Sequence, residues 1–573
     1  MFDPALPFVL LDDVAAGSAR LFSGVCETVF ADSPEAVPLA LTHLQRRGPW
    51  AGYVGFEAGY ALEAALPRRL PPIGEPLLWF GRFARDEAVD AAALMGQGLG
   101  LGPAHVGDLA PLLTQADHEA RLAQILALIT AGDIYQANLT FNAVVAVGGH
   151  PLHLYARLRA GSRAPYGALV FTGSLWILSF SPELFFKMDG PQLMARPMKG
   201  TAPRGLDTAD DEVRAAVLGA DPKNRAENLM ITDLLRNDLS RVGDNVQVPA
   251  LFAVETYPTV LQMTSTITAT AHDGISAADV LTKLFPCGSV TGAPKIRAMQ
   301  VIADVEAAPR GVYTGSIGAI AANGDAIFNV AIRTLVMAPQ ATTARLGIGS
   351  GIVADSDADS EWAECLAKAT FLHRRGPPDL VETLRAENGD LPDLGRHLDR
   401  MAASAAFLGT AFNAEAARAL VCAASRGVSG RIRLLAAPSG ALAVQVGPLP
   451  VALATPVRVA ITALPVSPDD WRLRHKTSDR RFYDDARAAI RAFEVIFATP
   501  AGGLTEGSFT NLFVRRGGVL LTPPASLGLL PGVLRAGLLA SGEAVEANLT
   551  AADLGGGFFI GNALRGLIPA ILA

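Results

Sequence analysis

The stretch Arg374-Arg375-Gly376-Pro377-Pro378 constrains the fold more than any other in the chain. Two successive prolines lack amide donors and fix φ, so no helix can run through them, and the charged, glycine-containing flank reads as surface. The segment divides 573 residues into a part of about 375 and a part of about 195, the latter a usual single-domain size. The expected domains are therefore 1–375, with an N-terminal part to about 112 and a core from about 113, and 376–573.

Both parts read as α+β. Leu122, Ile125, Leu126, Leu128 and Ile129 fall largely on one face of a helix from Asp117 to Ala131 that runs out at Gly132. Residues 133–140 read as a strand entering the core, 52–60 as strand and turn, and further strands are expected at 168–180, 264–270, 316–321, 326–337 and 344–349. Helices are expected at 212–218, 226–236 and 360–373. Gly288–Lys295 and Gly347–Gly351 are glycine-rich, but both miss the spacing of nucleotide-phosphate loops. They are expected as turns that aim backbone N–H groups at an anion.

Half of the residues are hydrophobic and 18% are charged, so the chain is folded rather than disordered. A net charge of −7 with dispersed Lys and Arg offers no stripe for a nucleic-acid backbone. No apolar run reaches the roughly 18–20 residues that span a bilayer, and Met1-Phe2-Asp3-Pro4 lacks a basic leader. Neither nucleic acid nor membrane is expected as a partner, and the expected location is the cytoplasm. Cys26, Cys287, Cys365 and Cys422 are far apart and read as buried free thiols. The histidines show no zinc spacing, and His475 reads as a packing residue.

Several residues carry candidate chemistry. Lys199 sits in Arg196-Pro197-Met198-Lys199-Gly200-Thr201-Ala202-Pro203, where a lysine is ordinarily a solvated surface charge. Glu361 and Glu364 are i and i+3, share a helical face and are able to converge on a hard cation. Helical glutamates are ordinarily solvated. These two, and Glu227 in Arg225–Ile231, are embedded in small and apolar residues, where an unpaired carboxylate is costly.

Seven strings occur in order: Gly132-Asp133-Ile134-Tyr135-Gln136, Ser181-Pro182-Glu183-Leu184, the Lys199 string, Ala226–Met230, Gly288–Lys295, Phe328–Thr334 and Gly349–Ser356. Over about residues 20–373 they resemble the chorismate-utilising enzymes, in particular the members that carry lysine at the position of Lys199 and make 4-amino-4-deoxychorismate. Anthranilate-forming members usually have a small residue there. The resemblance implies Mg²⁺ held by Glu227 and Glu364 with Glu361 nearby, a hard ion suited to oxygen ligands and a substrate carboxylate. It implies that Arg333 anchors the substrate, that Gly349, Ser350 and Gly351 offer backbone donors, and that Thr291 lies among the substrate contacts. Lys199 is implied as the nucleophile at C2 of chorismate, with ammonia then displacing it by attack at C4. It must be neutral, which burial and a nearby cation would favour. Glu183 is the expected general acid for the departing hydroxyl. Gln262 stands where anthranilate-forming members typically have histidine, and an amide cannot shuttle protons.

In the second part, His475–Tyr483 alone would read as a basic loop. Gly395–Met401, Leu504–Phe513 and Gly561–Ala563, taken with it, resemble the fold-type IV pyridoxal-phosphate enzymes, and Lys476-Thr477-Ser478-Asp479 is most similar to their aminodeoxychorismate lyase branch. The resemblance implies pyridoxal 5'-phosphate on Lys476, Glu506 against the pyridine nitrogen, and Arg400 and the Asn562 turn at the phosphate, with Leu529 and Leu530 N–H groups adding to that cup. Lys476 would also move the C4 proton. The part begins almost directly at Leu380–Arg385, so its N-terminal strands look shortened.

The fold expected is a large two-sheet chorismate-binding domain followed by a smaller fold-type IV domain. The expected function is 4-aminobenzoate synthesis for folate: amination of chorismate, then elimination of pyruvate. No cysteine-nucleophile glutaminase signature is present, so a separate glutamine amidotransferase subunit would supply ammonia. A homodimer through the second domain is a further expectation. The rivals are an anthranilate synthase component fused to a branched-chain or D-amino-acid transaminase, and a second domain that serves only for docking.

Overall fold

The computed structural model describes residues 2–96, 103–490 and 492–573. It resolves into two compact units, Met1–Ala202 with Ala215–Gly376, and Pro203–Arg214 with Pro377–Ala573. The division at 376 falls inside the Gly/Pro segment; the excursion of Pro203–Arg214 was not foreseen. Within the second unit, Arg204 forms an ion pair with Asp211 at 2.6 Å, donates to the Phe407 carbonyl at 2.9 Å and lies 4.5 Å over the Phe407 ring. His475 also stacks on Phe407, 4.4 Å between ring centroids, with Nε2 3.0 Å from the Leu206 carbonyl. Burial takes its pKa down to about 4, so the ring is neutral and donates there. His475 is thus a packing residue, as expected.

In the first unit, ladder pairing joins eighteen strands into one network, where the sequence reading expects two sheets. Phe8–Asp13 pairs with Tyr166–Phe171, Trp50–Val54 with Ser316–Ile320, and His105–Pro111 with Gln136–Gly148, all antiparallel. Residues on both sides of 112 therefore share one sheet. Its faces bury three large apolar clusters, centred on Trp50 and Phe186, on Tyr155 and Phe180, and on Tyr53 and Ile177.

Gln136–Gly148 positions the site. One edge pairs with Thr343–Ile352 in an unbroken register from Thr343↔Ala146 to Ile352↔Ala137, and its start also pairs with Gly292–Ala293. This register overturns the turn expected at Gly347–Gly351: each of those residues has a strand partner, so the run stays extended. The strand expected over 326–337 is interrupted instead. It forms Ala326–Asn329 and Thr334–Met337, with Arg333 between them in a left-handed conformation at φ 52. The helix expected at 360–373 runs Ala358–Lys368 and then tightens to a 3-10 turn at Thr370–His373. Residues 52–60 form the end of a strand, Trp50–Val54, and a short helix, Ala58–Ala61. Helix Gln115–Thr130 is capped by the Thr114 side chain, which accepts from the Asp117 amide at 3.1 Å, and it buries Leu122 and Ile125.

In the second unit, Leu380–Ala386, Gly430–Ala436 and Leu442–Gly447 form an antiparallel sheet. Leu384, Ile432 and Leu434 point from it into a cluster with Leu398 and Met401 of helix Leu394–Leu408. Alternation sends Thr383, Arg431 and Arg433 to the opposite face. The remaining eight strands form a second sheet containing Glu494–Ala498, Leu504–Gly507 and Phe558–Asn562. All four cysteines are free, but Cys26 and Cys422 are exposed, which corrects the expectation that all are buried. Among the described residues no helix is long and apolar enough to cross a membrane.

Candidate functional site

Each unit carries a lysine whose pKa is lowered by burial. Lys199 lies on Met198–Pro203, and its backbone is held on both sides: Asn228 donates to the Lys199 carbonyl at 3.2 Å and Gln262 to the Gly200 carbonyl at 2.8 Å. The other end of the Gln262 amide accepts from Thr201 at 2.9 Å. Gln262 is therefore a fixture of the lysine strand. A Cβ built on Gly351 would stand 2.9 Å from Lys199 Nζ and 2.9 Å from Gln136 Nε2, so the amine and the amide converge on a spot that only glycine leaves open. Gln136 is fully buried and neither end of its amide has a partner. Gln136 ends the Gly132–Gln136 motif and opens the strand Gln136–Gly148, a position from which sequence alone assigns it no role.

Burial lowers the Lys199 pKa; Glu227 opposes this, and Lys368 reinforces it. Lys368, unforeseen, bonds Glu364 at 2.8 Å and the Gly349 carbonyl at 2.8 Å. Glu227 lies on helix Pro222–Ser240, and burial raises its pKa against the pull of Lys199. Burial would raise Glu364 too, but Lys368 holds it below the ordinary value. Glu183 is buried, one carboxylate oxygen has no partner, and burial pushes its pKa up to about 7 against the Ser289 hydroxyl and Lys199. Glu183, Glu227 and Glu364 all act electrostatically on Lys199.

Other expected contacts fall differently. The Thr291 hydroxyl donates to the backbone carbonyls of Cys287 and Gly288, both at 3.2 Å, and holds its own loop. Gly349, Ser350 and Gly351 are ladder residues, with the Ser350 hydroxyl buried and unpartnered. Arg333 is drawn down to about 10, first by burial and then by Arg374. No hydrogen bond or ion pair of its guanidinium with the residues around Lys199 is present among the described residues.

Among the described residues no three His, Cys, Asp or Glu side chains are gathered as a closed metal cage. Mg²⁺ does not need one, since it commonly takes one or two carboxylates and completes its shell with water and substrate. Glu227 and Glu364 fit that pattern. Glu361 accepts from Ser356 at 2.7 Å and leaves its other oxygen buried without a partner.

Lys476 opens into a cleft of about 480 Å³, within the usual range for a cofactor with substrate. Burial takes its pKa down to about 8; Glu382 opposes, while Arg400, Arg480 and Arg433 add to the fall. Glu382 is the residue missed here. Burial disfavours its charge, yet Arg400, bonded at 2.7 and 2.8 Å, and the His397 ring, at 2.7 Å, hold its carboxyl well below the usual range. Arg400 also donates to the Pro531 carbonyl at 3.0 Å.

Glu506 is pushed up to about 7 by burial, against Arg480 and the Tyr483 hydroxyl that donates to it at 2.7 Å. Its turn is set by Glu494, also missed, whose carboxylate accepts from the Ser508 and Phe509 amides at 3.1 Å and from the Ser508 hydroxyl at 2.6 Å. The Leu530 amide donates to Glu506 at 3.0 Å, which removes it from the phosphate cup expected at Leu529 and Leu530; Leu529 is itself fully buried. The start of helix Val533–Ala540, with Gly532 before it, lines the cleft instead. A Cβ at Gly532 would meet Asn511 Oδ1 at 1.8 Å, so that approach is closed to any side chain. Asn562 lines the cleft, but its side chain closes its own turn, accepting from the Leu564 and Arg565 amides at 3.1 and 2.9 Å and donating to the Phe509 carbonyl at 3.1 Å. A lysine of lowered pKa, an enclosed acid and a helix N-terminus around one cleft fit pyridoxal phosphate.

Comparison with known proteins finds a family match in each part of the chain. The chorismate binding enzyme family matches residues 101–374, and the class IV amino-transferase family matches residues 379–572. Aminodeoxychorismate synthase component 1 of Salmonella typhimurium is 40% identical over 266 residues, covering 46% of this chain and 58% of the relative. The match thus spans a little over half the length of that relative. An anthranilate synthase component 1 of Haloarcula marismortui is 35% identical over 351 residues, covering 60% of this chain and 71% of the relative. In the crystal structure of anthranilate synthase component I from Streptococcus pneumoniae the fold recurs with a TM-score of 0.54 at 24% identity, over 65% of this chain and 94% of that one. The chain belongs to the chorismate binding enzyme family and joins to that domain a class IV amino-transferase domain of fold type IV.

Proposed function

We propose that the chain makes 4-aminobenzoate from chorismate and ammonia in two steps, one in each unit. The observation that carries this reading is the enclosed amine of Lys199 beside the buried, protonatable Glu183. Anthranilate formation needs no amine nucleophile from the protein; displacement of the C4 hydroxyl through a covalent amine does.

In the first step, neutral Lys199 attacks C2 as the C4 hydroxyl departs, and Glu183, protonated below about pH 7, gives that hydroxyl its proton so that water leaves. Ammonia then attacks C4 and the lysine is released. Gln136 and the backbone around Gly351 orient the ring, and Asn228 and Gln262 keep the lysine strand in place. Glu227 and Glu364 would hold Mg²⁺, which would neutralise a substrate carboxylate. Ammonia comes from a separate glutamine amidotransferase, in keeping with relatives named as component 1.

In the second step, pyridoxal phosphate supplies an electron sink when bound. Lys476 would carry it, Glu506 would face its ring nitrogen, and Arg400 with the start of Val533–Ala540 would hold its phosphate. Lys476, whose amine is near neutrality, takes the proton from substrate C4, and loss of enolpyruvate from C3 leaves the aromatic product and pyruvate.

The test is to incubate the purified chain with chorismate, ammonia, Mg²⁺ and pyridoxal phosphate and to identify products by chromatography. Equal amounts of 4-aminobenzoate and pyruvate are expected. Anthranilate as the main product would overturn the first step, and a keto acid formed from added amino acids in place of 4-aminobenzoate would overturn the second.

A further inference from the structure

The cleft at Lys476 holds more positive charge than its own acids balance. Arg400 is paired with Glu382, and Arg487 with Asp484 at 3.3 Å. Glu506 is taken by Tyr483 and the Leu530 amide. Arg431, Arg433 and Arg480 also line the cleft, and none of them has an ion pair among the described residues. Arg431 Nε and Arg480 Nη1 are shut from solvent with no hydrogen-bond partner. A guanidinium donor left unpaired in that way is costly, so the fold retains it where a ligand completes it.

The three arrive from two directions. Arg431 and Arg433 are alternate residues of Gly430–Ala436, with Ile432 and Leu434 turned into the core. Arg433 stands across from Thr383, another cleft residue, in the ladder with Leu380–Ala386. Arg480 follows Lys476 by four positions and lies 4.6 Å over the Tyr483 ring, which fixes its plane beside Glu506. A simple amino acid offers one carboxylate next to its amine. The substrate of the proposed second step carries two, one on the ring and one on the enolpyruvyl arm, both distant from the C4 amine.

We propose that Arg431, Arg433 and Arg480 form a receptor for the two carboxylates of the second substrate and so select a dianionic ring over simple amino acids; this rests on the lyase reading above. Guanidinium groups suit the task because they bind carboxylates through paired, charge-assisted hydrogen bonds and never lose their proton.

The experiment uses the full chain loaded with pyridoxal phosphate and has two arms. In the first, 4-amino-4-deoxychorismate is supplied directly, and R431Q, R433Q and R480Q are each expected to raise KM by about tenfold, the loss of one charge-assisted bond, with kcat changed less. The corresponding lysine variants should recover part of the loss. In the second, benzene-1,3-dicarboxylate and benzoate are titrated while the cofactor's visible absorption is followed, a signal that reports only this unit. The dicarboxylate should perturb the band at about tenfold lower concentration than benzoate, and the glutamine variants should erase that preference.

Unchanged KM together with an unchanged preference would overturn the receptor. Loss of the cofactor band in the glutamine variants would overturn it as well, by assigning the arginines to the cofactor. Should the wild type release no 4-aminobenzoate, the lyase reading fails, and the absorption arm still decides the receptor: a retained, arginine-dependent preference supports it and an absent one overturns it.

Discussion

Burial lowers the pKa of both Lys199 and Lys476, yet their neighbours have opposite signs. Around Lys199 stand Glu227, Glu364 and Glu183, with Lys368 as the cation that offsets them. Around Lys476 stand Arg400, Arg480 and Arg433, with Glu382 as the anion. Burial sets the direction at each site, and the neighbours then suit the partner that each lysine must meet. On the proposed reading, the first amine works beside groups that would hold a hard cation and deliver a proton. The second works among groups that await anions.

The largest effects should separate the two lysines completely. Lys199→Ala should reduce 4-amino-4-deoxychorismate formation by about a thousandfold or more while the chain still converts added 4-amino-4-deoxychorismate. Lys476→Ala should do the reverse, accumulating 4-amino-4-deoxychorismate with neither 4-aminobenzoate nor pyruvate. Product analysis by chromatography checks both. If either variant lost both reactions, the separation of labour would break.

Next come the groups around Lys199. Gly351→Ala puts a methyl group where Lys199 and Gln136 meet, and a displacement of that kind should cost about a hundredfold in the first reaction, with the cofactor band of the second unit intact. Glu183→Gln should cost about a hundredfold and also change the pH profile. In the wild type the first reaction should fall as pH rises through about 7, because the acid then loses its proton, and the glutamine variant should lack that descent.

The smallest effect concerns stability. Glu506 is raised from 4.5 to about 7 by folding, so the folded chain keeps a proton that the unfolded chain releases. Its contribution is fully present below about pH 4.5 and is lost as pH climbs through about 7. Melting of the cofactor-free chain from pH 5 to 8 should therefore show a steeper decline in the wild type than in Glu506→Gln. Parallel curves would mean that Glu506 is not held protonated.

What sequence alone names at the first candidate site lies in short motifs: Lys199, Glu183, Glu227 and Glu364 each sit in a recognisable string. What escaped depends on partners distant in sequence. Lys368 looks like an ordinary helix-end lysine until the strand carrying Gly349 packs against it. Glu382 gains its meaning only when Arg400 and His397, on the next helix, close on it. Glu494 and the amides of Ser508 and Phe509 are brought together by the pairing of two strands. The turn read at Gly347–Gly351 failed for a related reason, since glycines suggest bends but a continuous partner strand holds them straight. The Leu530 amide was assigned to a phosphate although Glu506 claims it, a competition invisible without coordinates.

Gly351 has a consequence for how the chain can change over generations. Any mutation of its codon that alters the amino acid adds at least a Cβ, and that atom stands 2.9 Å from the amine and from the amide alike. Every such change asks the ends of these two side chains to move aside. On the proposed reading, selection for the first step therefore bears on codon 351 as directly as on codon 199, although glycine supplies no reacting group.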